Sequence, residues 1–191
     1  MLALGVDPGT LHLGWGLVRR EGNRLRHVAH GVVHLPRGEP LQKRLAGIAE
    51  ALADVLDAHR PEVSAVETLF FHKDAQAAAK LGHARGVVLL CLARAGLDVA
   101  EYSPARVKRA IAGHGRADKR QMSLMVRALL GLAEPPPSDA ADALALAITC
   151  LRAGPLMARL EPAARGLPPR LAEALAARGR KGRISGRGAG R

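Results

Sequence analysis

The sequence predicts an α/β sandwich: a mixed five-stranded sheet flanked by helices. Three observations predict it. The opening run Leu2-Ala3-Leu4-Gly5-Val6 enters Asp7-Pro8-Gly9-Thr10 without a polar break, the mark of a strand buried on both faces. Two more strand-like segments, His12–Arg19 and Arg24–Leu35, are joined through Glu21-Gly22-Asn23, a tight hairpin signal. From Leu41 onward helical periodicity alternates with short apolar runs, and a strand reached by a helical crossover pairs parallel to a neighbour.

Each element follows from its residues. Pro8 presets the first turn position, and Gly9 is expected to supply the positive φ of a type II turn. Leu41, Leu45, Ile48, Leu52, Val55 and Leu56 recur at three and four, giving a helix over 41–59 with one buried face. Pro61 ends it, and 62–67 reads as a strand closing on a carboxylate, Glu67. A loop, 68–74, carries Phe70 and Phe71 beside basic groups. The stretch 75–95 predicts a long helix with an apolar patch at Val87-Val88-Leu89-Leu90, in which Gly82 and Gly86 suggest close approach of another element. Residues 98–102 form the last strand. Ser103-Pro104 then opens a short helix to Ala112, and a flexible loop, 113–117, leads to Asp118, which caps a helix to Leu130. After Pro135-Pro136-Pro137, Ser138 starts a final helix over Asp139–Leu151.

The chain has 191 residues, 48% of them hydrophobic and only 2% aromatic. Residues 1–152 make one α/β domain of ordinary size. Residues 153–191 form a Pro-, Gly- and Arg-rich extension expected to be largely disordered. Cys91 and Cys150 lie far apart in helical patterns and read as small core residues of a reducing compartment. Met1 leads directly into the first strand, and no apolar run reaches bilayer length, so a soluble cytoplasmic protein with no membrane role is expected. The formal charge of +12 is concentrated toward the C-terminus, where residues 152–191 carry ten Lys/Arg against two Asp/Glu. A polyanion, nucleic acid before membrane, is the natural partner, although a basic extension also serves simply as a solvated tail.

Four carboxylates carry the chemistry. Asp7 and Glu67 each end a predicted buried strand. Asp139 and Asp142 lie three apart at the start of the final helix and share a face. Asp139 alone reads equally well as a residue favoured by the helix dipole, but Asp142 sits on an otherwise Ala/Leu face. Four converging carboxylates carry a charge of about −4, which two hard divalent cations would balance. Paired Mg²⁺ or Mn²⁺ ions suit phosphodiester hydrolysis.

Gly5-Val6-Asp7-Pro8-Gly9-Thr10, Val66-Glu67-Thr68-Leu69-Phe70, Lys80-Leu81-Gly82-His83-Ala84-Arg85-Gly86 and Asp139-Ala140-Ala141-Asp142-Ala143-Leu144-Ala145 resemble the signature segments of the RuvC family, bacterial Holliday-junction resolvases. The resemblance runs from Met1 to about Leu151. It implies a ribonuclease-H-like fold, a homodimer, and a Mg²⁺-dependent endonuclease that nicks four-way DNA junctions symmetrically in recombination and repair, alongside the branch-migration proteins RuvA and RuvB. It also implies that Asp7, Glu67, Asp139 and Asp142 are the catalytic metal ligands. Lys108 and Lys119 would contact phosphate, and Phe70 would stack on an unpaired base. Arg85 and Arg116 are further candidates for a phosphate track around the cleft, and the helix over 75–95 for part of the dimer face.

Three rivals remain in view. Asp7-Pro8-Gly9-Thr10 also resembles the phosphate loop of sugar kinases and actin-like ATPases, but those need two such domains, and no GxxxxGK[ST] pattern occurs here. A junction- or RNA-binding protein without catalysis would be marked by loss of a carboxylate, and all four are present. A relative acting on other branched nucleic acids is compatible with the same residues.

Overall fold

Ten elements follow one another along the described residues: β1 (Leu2–Asp7), β2 (His12–Glu21), β3 (Arg24–His34), α1 (Leu41–His59), β4 (Val63–Glu67), α2 (Ala75–Arg94), β5 (Val99–Tyr102), α3 (Pro104–Ala112), α4 (Lys119–Leu130) and α5 (Ser138–Ala158). They come from a computed structural model that describes residues 1–68 and 75–158. Phe70 and the extension beyond Ala158 lie outside the described residues. The sheet order is β3-β2-β1-β4-β5. The first three strands form an antiparallel meander, and β1, β4 and β5 run parallel. The hairpin closes on Gly22-Asn23, with positive φ (+58°) at Gly22 only, as a II′ turn requires.

Strand alternation divides the sheet into two cores. In β1, Leu2, Leu4 and Val6 pack with Ile48, Leu52, Val88 and Leu92 of α1 and α2. Ala3 faces the other way, into the layer built by α3, α4 and α5. Period two places Gly5 and Asp7 on that same second face. In β4, Val66 belongs to the first core and Ala65 to the second, so Glu67 also turns toward α5.

The helix α5 is buried almost throughout from Ala140 to Leu151 and lies across β1 and β2 at very short range. A Cβ at Gly5 would fall 1.9 Å from the Ala143 carbonyl oxygen, one at Gly14 2.1 Å from that of Asp139, and one at Gly16 2.7 Å from Leu144 Cγ. Three strand glycines therefore admit the helix backbone itself, the close approach that glycine in a strand marks.

Several expectations are corrected. Gly9 does not have positive φ; it is needed because a Cβ there would fall 2.3 Å from the His12 carbonyl. Among the described residues nothing lies within 4 Å of a Cβ added at Gly82 or Gly86. The patch 87–90 is split by helical geometry, Val88 buried and Leu90 56% exposed. The last helix does not stop at Leu151 but runs through Gly154-Pro155 to Ala158. Pro155 has no N–H to give the Leu151 carbonyl, and Arg20 Nη1 donates to that oxygen instead, at 2.8 Å. Both cysteines are free, Cys150 buried and Cys91 half-buried. No helix among the described residues is long and apolar enough to cross a membrane.

Candidate active site

Asp7 and Glu67 meet at the carboxyl ends of neighbouring parallel strands, whose register pairs Val6 with Val66 one residue earlier. Sites in open α/β sheets form at such strand ends. The N-terminal part of α5, seated on Gly5 and Gly14, brings Asp142 to the same place. Asp7, Glu67 and Asp142 line a cavity of about 320 Å³ with Lys108 and Lys119, walled by Pro104, Val107, Met122 and Leu146. Asp139 stands outside that lining but close enough to act electrostatically on Asp7 and Asp142.

The two lysines owe their positions to capped helices. Ser103 Oγ accepts from the Arg106 N–H, and Pro104 follows it at the start of α3. Burial of Val107 and Ile111 then sets Lys108 at the cavity's border. In α4, Asp118 and Gln121 form a reciprocal capping box, worth about 1 kcal/mol. Lys119 lies on the stripe of buried Met122 and Val126, and its Nζ reaches Asp142 Oδ2 at 3.8 Å.

Burial and mutual repulsion shape the acids. Desolvation pushes the Asp7 carboxyl up to about 7, with Asp142, Glu67 and Asp139 adding to it and Lys119 opposing. Glu67 is raised by burial and by Asp142, against Lys119 and Lys108. Asp142 is raised by burial and Asp139, against the same two lysines. Two lysines do not balance this group of carboxylates. Its donors are all hard oxygens, which suits a divalent cation of the Mg²⁺ class. Among the described residues no three acidic, His or Cys groups converge as a ready-made cage.

Arg85 is placed differently from a surface cation. Its side chain is 13% exposed and forms an ion pair with Glu101 on β5. Its Nε donates to the Glu67 carbonyl at 3.3 Å, so Arg85 clamps the strand end that carries Glu67. Arg85→Gln is expected to lower cleavage about tenfold, the low end for groups that orient ligands, with DNA affinity unchanged. A matched fall in affinity would mark Arg85 as a phosphate contact instead. Arg116 is exposed on the turn between α3 and α4, where its backbone N–H donates to His114 Nδ1 at 3.3 Å. The sequence reading missed Gly5, Gly14 and Gly16, although glycines at alternate positions of a strand were a visible signal.

Fold and site together define the class: a ribonuclease-H-like nuclease with its acidic site at the strand ends. The family model described as "Crossover junction endodeoxyribonuclease RuvC" matches residues 3–150, and the chain belongs to that family. A protein of that name from Sorangium cellulosum is 54% identical over 179 residues, covering 93% of this chain and 99% of its own. The match to that relative therefore reaches into the basic extension. One from Bradyrhizobium diazoefficiens is 52% identical over 146 residues, 76% of this chain and 83% of its own. Among solved structures, Thermus thermophilus RuvC in complex with a Holliday junction substrate is similar with a TM-score of 0.74 at 44% identity, covering 78% of this chain and 92% of that one. The yeast mitochondrial Holliday junction resolvase Ydc2, at 13% identity and a TM-score of 0.58 over 77% of this chain and 76% of its own, shares the fold.

Proposed function

We propose that this chain is a structure-selective endonuclease that resolves four-way DNA junctions by paired nicks in strands of like polarity. The observation that carries this reading is the cavity where Asp7, Glu67 and Asp142 meet beneath Lys108 and Lys119, in a chain of this family. Asp7, Glu67, Asp139 and Asp142 would hold two Mg²⁺ ions, or Mn²⁺ in their place. Bound there, divalent cations supply charge neutralisation, an activated water and stabilisation of the leaving oxygen. The lysines draw the scissile phosphate toward the acids, and Lys119, 81% exposed, is free to exchange Asp142 for phosphate. The apolar wall of Val107, Met122 and Leu146 limits water around the reacting group.

The reading includes a homodimer, since two-fold symmetry presents two identical sites to two like strands. The face of α2 with open Gly82 and Gly86 and exposed Leu90 supports it. It also includes stacking of Phe70 on a junction base, phosphate contact by Arg116, an auxiliary electrostatic role for residues 153–191, cooperation with RuvA and RuvB, and a cytoplasmic location. The test is incubation with a labelled, partly mobile four-way junction beside a linear duplex, in Mg²⁺ and in chelator. Paired, metal-dependent nicks confined to the junction are expected. Equal cutting of linear duplex, or binding without cutting across several core sequences in both Mg²⁺ and Mn²⁺, would overturn the reading.

A further inference from the structure

At the other end of the α4–α5 layer lies a larger recess, of about 750 Å³, bordered by Arg20, Arg24, Arg26 and Arg152, with Glu21 the one acid among the described residues that line it. Its floor is apolar, formed by Leu25, Leu129 and Leu151. We propose that this recess binds backbone phosphates of a duplex arm extending from the site of cleavage, as a second DNA contact separate from the acidic cavity. The inference rests on nucleic acid being the substrate.

Placement and charge carry it. The acidic cavity touches α4 at Lys119 and α5 at Asp142, and the recess touches the same helices at Leu129 and Leu151. The two are therefore about 15 Å apart along the helices at 1.5 Å per residue. That is roughly four to five base pairs of B-form duplex. Between them Arg120 and Arg127 are exposed on α4, seven residues apart and so on one face. The acids along this route are Asp118, whose carboxylate caps its own helix, and exposed Glu134.

The recess is part prepared and part available. Arg20 is held by the Leu151 carbonyl and Arg152 by that of Ala110, which fixes two cations on the rim. Arg24 is exposed, with no ion pair or side-chain hydrogen bond among the described residues. Arg26, 70% exposed, makes among the described residues only a 3.5 Å contact with Glu21, a surface pair that yields readily to a stronger anion. Guanidinium groups suit phosphate because their paired donors match its oxygens. Three cations in excess over acid at the rim favour a polyanion over an apolar occupant.

The test uses the full chain and the double variant Arg24→Gln, Arg26→Gln, both exposed positions outside the acidic cavity. Junctions carry neutral methylphosphonates at the four to eight phosphates beyond the cleavage point, or natural phosphates there, and binding is measured in Ca²⁺ across a salt series. Neutralising those phosphates is expected to weaken the wild-type chain and leave the double variant unaffected. The variant's salt slope on natural DNA falls by roughly two, near 0.9 for each phosphate no longer neutralised by an arginine, while its cleavage rate at saturating junction is retained. Equal sensitivity of the two proteins to methylphosphonate, or an unchanged salt slope, overturns the proposal. An acidic peptide that competes for the recess without any DNA effect of the double variant does the same. A 20-base-pair linear duplex, read by salt slope alone, keeps the test valid if junction cleavage itself fails.

Discussion

Asp7→Asn is expected to abolish cleavage while leaving junction binding intact. The substitution removes an oxygen ligand and a charge from the centre of the acidic cavity but touches neither lysine at its rim. A loss on the order of 10³-fold or more corresponds to about 4 kcal/mol of barrier. Near-normal turnover by this variant would show that Asp7 holds no essential ion. The same residue also predicts a pH effect without metal. With its pKa raised from 3.8 to about 7, the folded chain binds a proton that the unfolded chain has released. The contribution of Asp7 to stability is therefore fully present below about 4 and is lost as pH rises through 7. The loss reaches up to about 4 kcal/mol at 1.36 kcal/mol per unit. In chelator, wild-type melting should fall between pH 5 and pH 8, and Asp7→Asn should flatten that fall. Parallel melting profiles would count against the burial and repulsion ascribed to Asp7.

Gly14→Ala and Gly5→Ala should each cost about 3 kcal/mol or more, at the upper end for overpacking. The colliding atoms are backbone carbonyls of α5, at 2.1 and 1.9 Å, and no rotamer change relieves them. Because α5 carries Asp139 and Asp142, a shifted helix also displaces the acids, so cleavage should fall even in variants that remain folded. Denaturant unfolding checks the stability effect, with Gly38→Ala as the control because a Cβ there meets nothing within 4 Å. Midpoints equal to wild type would mean that the helix moves aside at little cost.

Local chemistry made much of this readable in advance. The apolar run at 2–6, the Gly22-Asn23 turn, the periodicity over 41–59 and the caps at Ser103 and Asp118 each act within a few residues. Their elements match the expected ones to within a residue or two. Pro155 misled the reading because its cost in a helix depends on the fate of one carbonyl. Arg20, 131 positions from Leu151, takes that role. The clamp made by Arg85 was hidden for a similar reason. Its charge is visible in the sequence, but its partner Glu101 lies on a strand reached only through the packing of α2 against β5.

The sequence by itself determined the strand and helix inventory, the excess of positive charge, and, through period-two alternation, that Asp7 shares a face with Ala3 and Gly5. Tertiary structure alone decided that β1 and β4 pair in the register that sets Asp7 beside Glu67. It also decided that α5 settles on Gly5, Gly14 and Gly16 with Asp142 over them. The physical reason is that these contacts join segments as far apart as Gly5 and Ala143, 138 positions. Their energies come from close packing, burial and pairing between elements, which local propensity does not encode.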